Sequence, residues 1–126
     1  MAEIKYTKDH EWLKIEEGNV AVIGITDFAQ DALGDLVYVE LPEMGATFTK
    51  GDDFAVVESV KTAAEVYTPV SGEVVGVNED LSDDPEIMKK SMDEGWIAKI
   101  KMTDEGEILA MMSKEQYDKF LEEQDH

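Results

Sequence analysis

Apolar and polar positions alternate with a period of two over much of the chain. In Trp96–Met102, Ala98, Ile100 and Met102 fall on one face and Lys99 and Lys101 on the other, the pattern of a strand with one side in a core. Val20 to Ile25, Leu36 to Leu41, Phe54 to Val60, Ala63 to Thr68 and Glu73 to Val77 are rich in β-branched residues and also read as strands. Three segments switch to the helical period. Thr26 to Leu33 aligns Phe28, Ala29, Ala32 and Leu33, with Thr26 as N-cap and Gly34 as the stop. A second helix is expected from Asp84-Pro85, carrying Ile87, Met88, Ser91 and Met92 and ending by Gly95, with proline at the first helical position. The third opens on a capping box, Ser113 with Gln116, lets Met112 staple onto Tyr117, and continues its apolar face through Phe120 and Leu121. Glu122 to His126 should fray. Short strands at this spacing predict a mainly β sandwich or barrel with the helices outside its sheets.

The chain has 126 residues, the size of one ordinary domain spanning positions 1–126. A hydrophobic content of 43% supports one core. Thirty acidic side chains face 11 basic ones, all lysine, for a formal charge of -19. Such a chain lacks the basic footprint of a nucleic-acid binder and the polybasic segment of a membrane anchor. Without arginine it also lacks the planar fork that clamps phosphate. With no cysteine it has no disulfide, no zinc–thiolate site and no thiol nucleophile. No apolar run is long enough to span a bilayer. Met1 to Lys5 shows neither a signal-peptide core nor transit character, so a bacterial cytoplasm is the expected location, or the mitochondrial matrix for a processed chain.

Enzymatic constellations are absent. Only His10 and His126 offer imidazole, and there is no nucleophile elbow, P-loop or dinucleotide fingerprint. The acids Glu79, Asp80, Asp83, Asp84 and Glu86 miss the EF-hand pattern and read as a solvated loop, so no metal is expected. One echo organises the middle of the chain. Pro42-Glu43-Met44-Gly45 and Pro69-Val70-Ser71-Gly72 are P-x-x-G turns 27 residues apart, and Lys61 lies 16 residues after the first glycine and 11 before the second. Two half-units folded about a hairpin would put Lys61 at the tip. An exposed lysine with a pKa near 10.4 is less than about 0.1% free amine at pH 7. It is a poor nucleophile, better suited to modification by another enzyme.

The ordered blocks His10-Glu11-Trp12, Gly24-Ile25-Thr26-Asp27, Ala29-Gln30, Leu33-Gly34-Asp35, Glu40-Leu41-Pro42 with Gly45, Glu58-Ser59-Val60-Lys61, Pro69 with Gly72-Glu73-Val74, Asn78 and Gly95-Trp96 together resemble the glycine cleavage system H-protein family over essentially the whole chain. Departures are mild: Phe28, Lys89-Lys90 and Met92 stand where the family often has other residues. Biotin carriers usually flank their lysine with methionines, and here the neighbours are Val60 and Thr62.

The resemblance implies a barrel-sandwich hybrid of two antiparallel sheets, lipoyl/biotinyl-carrier-like, with short flanking helices and a C-terminal helix. It implies lipoate attached as an amide to Lys61, with Glu58, Gly72 and Gly45 helping the lipoate-attaching enzyme to read the hairpin. It implies a monomeric, non-catalytic carrier. Its partners would be the P protein (a PLP-dependent glycine decarboxylase), the T protein (an aminomethyltransferase) and the L protein (dihydrolipoamide dehydrogenase). By the same analogy Glu11, Glu65 and Asp9 line a cleft that receives the arm. A second carrier function, relaying lipoyl groups to other 2-oxo acid dehydrogenase complexes, is the alternative.

Overall fold

The computed structural model describes residues 4–90 and 92–124. The expected helical role of Ser91 and the fraying of Asp125 and His126 lie outside the described residues. Along the chain run β1 (Ile4–Tyr6), β2 (Glu11–Glu16), β3 (Val20–Ile25), α1 (Asp27–Leu33), β4 (Leu36–Glu40), β5 (Thr47–Phe48), β6 (Asp53–Ser59), β7 (Ala63–Tyr67), β8 (Gly72–Val77), α2 (Asp80–Asp83), α3 (Met92–Gly95), β9 (Ala98–Met102) and α4 (Lys114–Gln124), with 3-10 turns at Pro85–Lys89 and Glu105–Ala110. The strands form two antiparallel sheets, one ordered β1-β2-β3-β9-β8-β5 and the other β4-β6-β7, and among the described residues they do not close into a barrel.

The core lies between the sheets. Leu13, Ile23, Val74 and Ile100 come from the larger sheet and Val39, Val57 and Val66 from the smaller. The alternation expected for β9 is present: Ala98, Ile100 and Met102 are buried and Lys101 is exposed. A second, smaller cluster covers the opposite face of the larger sheet at one end, where Tyr6, Trp12 and Val22 pack with Tyr117 of α4. Trp12 pairs across the ladder with Gly24, where a Cβ would sit 2.6 Å from the indole. Two motifs distant in sequence are therefore a single packing unit.

Both P-x-x-G turns do the same work. Each carries the chain from the smaller sheet to the larger, the first from β4 to β5 and the second from β7 to β8. They meet side by side, with the Gly45 amide donating to the Val74 carbonyl at 2.9 Å and Phe48 paired with Gly72. Gly72 is demanded by contact, since a Cβ there would lie 2.0 Å from the Lys101 carbonyl oxygen.

The helices agree in part with the periodicity. α1 has its Thr26 cap, whose hydroxyl accepts from the Ala29 amide, and it stops at Gly34 with φ 84°. The capping box of α4 is formed: the Gln116 amide donates to Ser113 Oγ at 3.2 Å and the Ser113 amide to Gln116 Oε1 at 2.9 Å. The segment from Asp84 to Gly95 is not one helix. Asp84 caps a 3-10 turn over Pro85–Lys89, and α3 follows as a separate piece. The acidic stretch read as a solvated loop contains α2, because Leu81 is wholly buried and draws one turn of helix onto the core. Within that stretch Glu86 accepts a hydrogen bond from the Leu36 amide at 3.0 Å, tying it to β4. Among the described residues no helix is long and apolar enough to cross a membrane.

Candidate functional site: a braced lysine beside an acid-lined cleft

The β6–β7 hairpin reverses over four residues, Ser59 to Thr62, and Lys61 stands at its tip, exposed. The Ser59 hydroxyl organises the reversal. It accepts from the amides of Lys61 at 3.3 Å and Thr62 at 3.1 Å, and donates to the Thr62 carbonyl at 3.1 Å. The Ser59 amide adds a backbone bond to the same carbonyl at 2.7 Å. A serine side chain that closes a turn on its own backbone holds it with little outside help. One outside contact is added: the Val60 amide donates to the Asp35 carbonyl at 3.0 Å. This ties the tip to the residue after Gly34, and the lysine stem passes beside that glycine; a Cβ there would meet Lys61 Cε at 3.4 Å, an ordinary contact. The blocks Leu33-Gly34-Asp35 and Glu58-Ser59-Val60-Lys61 thus meet in space. Among the described residues Lys61 has no ion-pair partner.

Glu58, Gly72 and Gly45 do not converge. Glu58 is half-buried on β6, opposite Ala63 and Tyr38, one strand residue from the tip. Gly45 and Gly72 lie beyond the open end of the hairpin, where β5 meets β8. The brace on Lys61 comes from Ser59 and Asp35, not from the two glycine turns.

Asp9, Glu11 and Glu65 do converge. All three line one cavity of about 360 Å³, walled by Phe28, Ala29, Ala32 and Leu33 of α1 and by Val57, Thr62, Ala64 and Val66 of the hairpin, with His10 and Ile25. The apolar face expected of α1 is the wall of this cavity as well as a core contact. Thr62 brings its edge to the residue next to Lys61. Asp9 and Glu65 are exposed, and Glu65 accepts from the Tyr67 hydroxyl at 3.3 Å.

Glu11 differs from both. It is 2% exposed and its carboxylate accepts from the Thr7 hydroxyl at 2.8 Å and the Tyr67 amide at 3.3 Å. Burial pushes its pKa up to about 7; the nearby Asp9 charge adds to the shift, and the bonds from Thr7 and Tyr67 oppose it. Near neutral pH this carboxyl is therefore poised between its two forms.

Two further groups were not legible as site residues. His10 has φ 68°, stacks on Phe28 with ring centroids 4.5 Å apart, and is hydrogen-bonded through Nδ1 to the Tyr117 hydroxyl at 2.7 Å. Burial lowers its pKa against the pull of Asp9. Tyr117 was expected only as an apolar staple partner of Met112, and it shares a core cluster with that residue. Its hydroxyl, which reaches His10 and Thr26, leaves no periodic trace.

A family model, glycine cleavage H-protein, matches residues 4–124. The chain is 53% identical over 117 residues to the glycine cleavage system H protein of Alcanivorax borkumensis, covering 92% of this chain and 91% of that one. It is 50% identical over 121 residues to the protein of the same name from Listeria monocytogenes, covering 95% and 96%. The crystal structure of a glycine cleavage system H protein from Mycobacterium marinum superposes with a TM-score of 0.86 at 34% identity, covering 95% of this chain and 97% of that one. With its sheets, its hairpin lysine and its cleft in place, the chain belongs to the glycine cleavage H-protein family.

Proposed function

We propose that the chain is a single-domain lipoyl carrier of the glycine cleavage system, with lipoate in amide linkage to Lys61. It would take an aminomethyl group from the P protein, present it to the T protein, and be returned to its oxidised form by the L protein. The observation that carries this reading is the braced tip: an exposed lysine on a turn stiffened by Ser59 and Asp35, beside a cleft with a polar end.

The residues present fit the group. Lys61 supplies the amine, and the amide removes its charge. Thr62, Ala64, Val57 and Leu33 offer an apolar wall next to the attachment point, and Glu11, Glu65 and Asp9 stand in the same cavity. When bound, lipoate supplies a disulfide that can be opened to a dithiol and can hold a one-carbon unit on sulfur, chemistry that a chain without cysteine cannot perform.

The chain's own residues then position and protect. A primary or protonated amine entering the cleft meets a buried carboxyl at Glu11 and two exposed ones at Asp9 and Glu65. A cation placed near Glu11 favours its charged form, so docking of an ammonium at neutral pH releases part of the Glu11 proton and leaves an ion pair out of water. That pair would hold the nitrogen protonated and prevent its lone pair from expelling the sulfur. The acid excess, -19 overall, suits brief electrostatic encounters with basic faces of successive partners. The reaction itself belongs to those partners, and the family's bacterial members fit a cytoplasmic setting.

The test is glycine–bicarbonate exchange with the P protein after treatment with a lipoate-attaching enzyme. Exchange with the native chain, and none with Lys61→Arg, supports the carrier reading. Lipoylation without exchange would instead favour the relay of lipoyl groups to other complexes.

A further inference from the structure

The walls of the cleft come from separate parts of the chain, the segment Asp9–Glu11 that enters β2, α1 and the hairpin, and no described residue of α4 lines it. Yet one α4 side chain joins two of those walls. Tyr117, 4% exposed, places its hydroxyl 2.7 Å from His10 Nδ1 and 2.7 Å from Thr26 Oγ1. His10 belongs to the acid-bearing loop. Thr26 is the cap of α1, its hydroxyl accepting from the Ala29 amide at 3.4 Å. We propose that Tyr117 is a positioning residue of the cleft: its hydroxyl fixes the His10 imidazole against the start of α1, and so sets where the neighbouring acids Asp9 and Glu11 stand.

The local geometry supports this role. His10 occupies the left-handed region, uncommon for a residue with a side chain, and such backbone persists only where its surroundings over-determine it. The determinants are visible. The His10 amide donates to the Thr7 carbonyl at 3.1 Å, the Thr26 amide donates to the His10 carbonyl at 2.9 Å, and the ring is held between Phe28, Phe120 and Tyr117. The backbone reversal at His10 sends its two neighbours to different surroundings, Asp9 exposed and Glu11 buried.

The hydrogen bonds also have a consistent direction. Thr26 Oγ1 is an acceptor for Ala29, so its own proton is available to Tyr117, and the Tyr117 proton to an unprotonated Nδ1. Burial favours the neutral imidazole, and its Nε2-protonated tautomer is the one that accepts at Nδ1. The titratable groups facing this chain are Asp9 beside His10, and Tyr6, Asp27 and Asp118 beside Tyr117.

The role in protecting a bound one-carbon unit rests on the carrier reading; the positioning itself does not. Tyr117→Phe tests both, because phenylalanine keeps the stack on Tyr6, 4.9 Å away, and loses only the hydroxyl. In backbone amide spectra of the unmodified protein, Y117F should shift Asp9 to Glu11 and Phe28 to Ala29 and leave Glu58 to Ala64 in place. In the lipoylated protein charged from glycine by the P protein, spontaneous release of the carbon should accelerate about five-fold, the worth of one net hydrogen bond. The rate of lipoylation at Lys61 should be unchanged.

His10→Asn, which tolerates the same backbone but is too short to reach Tyr117, should reproduce the effect, and the double variant should add nothing. Thr26→Ser, which keeps the hydroxyl, should behave as the native chain. Unmoved signals at residues 9–11 in Y117F would overturn the proposal. So would equal losses in carbon retention and lipoylation. A native chain that never gains a lipoyl group would refute the carrier reading instead, and the amide shifts would still decide the role of Tyr117.

Discussion

Lys61 is braced by a serine two residues away and by one carbonyl, that of Asp35. Glu11 is held by Thr7, four residues away, and by Tyr67, 56 residues away. The first region is local, exposed and self-closing; the second is buried and assembled from the whole fold. Under the proposed carrier role a modifying enzyme needs only a stiff, accessible turn, which a few consecutive residues can encode. A cleft that shelters a charge from water needs walls from several elements, and therefore the folded protein.

The sharpest break between the two regions is Lys61→Arg. It should abolish carrier turnover entirely while leaving the cooperative unfolding transition where it is, since the side chain is exposed; glycine–bicarbonate exchange and thermal melting read the two arms. Next in size is Gly72→Ala, which forces a Cβ onto the Lys101 carbonyl oxygen. A backbone atom cannot step aside, so a loss of about 3 kcal/mol is expected in urea titration. Gly45→Ala meets no atom within 4 Å and suffers only from its φ of 83°, about 1 kcal/mol. Lipoylation of folded G45A at the native rate would make that glycine a turn requirement, and a slower rate would make it part of the recognition surface.

Glu11 sharpens the comparison through pH. The folded chain keeps the Glu11 proton up to about 7, while an unperturbed glutamate releases it near 4.5. The folded state thus binds more protons within that window, and this group's contribution to stability falls as pH rises through it, with the full burial cost present above 7. Glu11→Gln should therefore gain up to about 3 kcal/mol on the native chain between pH 4.5 and pH 8. Denaturant midpoints at the two pH values measure it, and parallel curves would contradict the assignment. Ser59→Ala removes three contacts from the tip at a cost of about 1–2 kcal/mol. It should raise amide exchange at Val60 to Thr62 and leave Glu11 untouched.

What could be read in the sequence follows the same division. β3 was legible to the residue, and β4, β6, β7, β8 and β9 to within two residues at either end. β2 was missed for a physical reason. Trp12 and Leu13 are adjacent and both buried, one under α4 and the other in the main core, so a strand covered on both faces shows no alternation. β1 and β5, at three and two residues, are too short to carry a period. The caps at Thr26 and Ser113 were readable, and so was the helical start at Asp84-Pro85; the Asp104 cap of the Glu105–Ala110 turn was not.

The site divides likewise. The place of Lys61 at a hairpin tip was legible from its position between two turns. Glu11, Glu65 and Asp9 were expected by analogy, and the structure brings them to one cavity. The bracing role of Ser59 and the link from Tyr117 to His10 and Thr26 were not seen. The last of these spans 107 residues to His10 and 91 to Thr26, and no local pattern encodes such a bond.

Eleven lysines share this chain, and only one of them stands on the braced turn. The most direct measurement is peptide mapping by tandem mass spectrometry after incubation with lipoate and its attaching enzyme. A single lipoyl group on the peptide bearing Lys61, at full occupancy and nowhere else, is the predicted result. An unmodified Lys61, or lipoate spread over other lysines, would contradict the account.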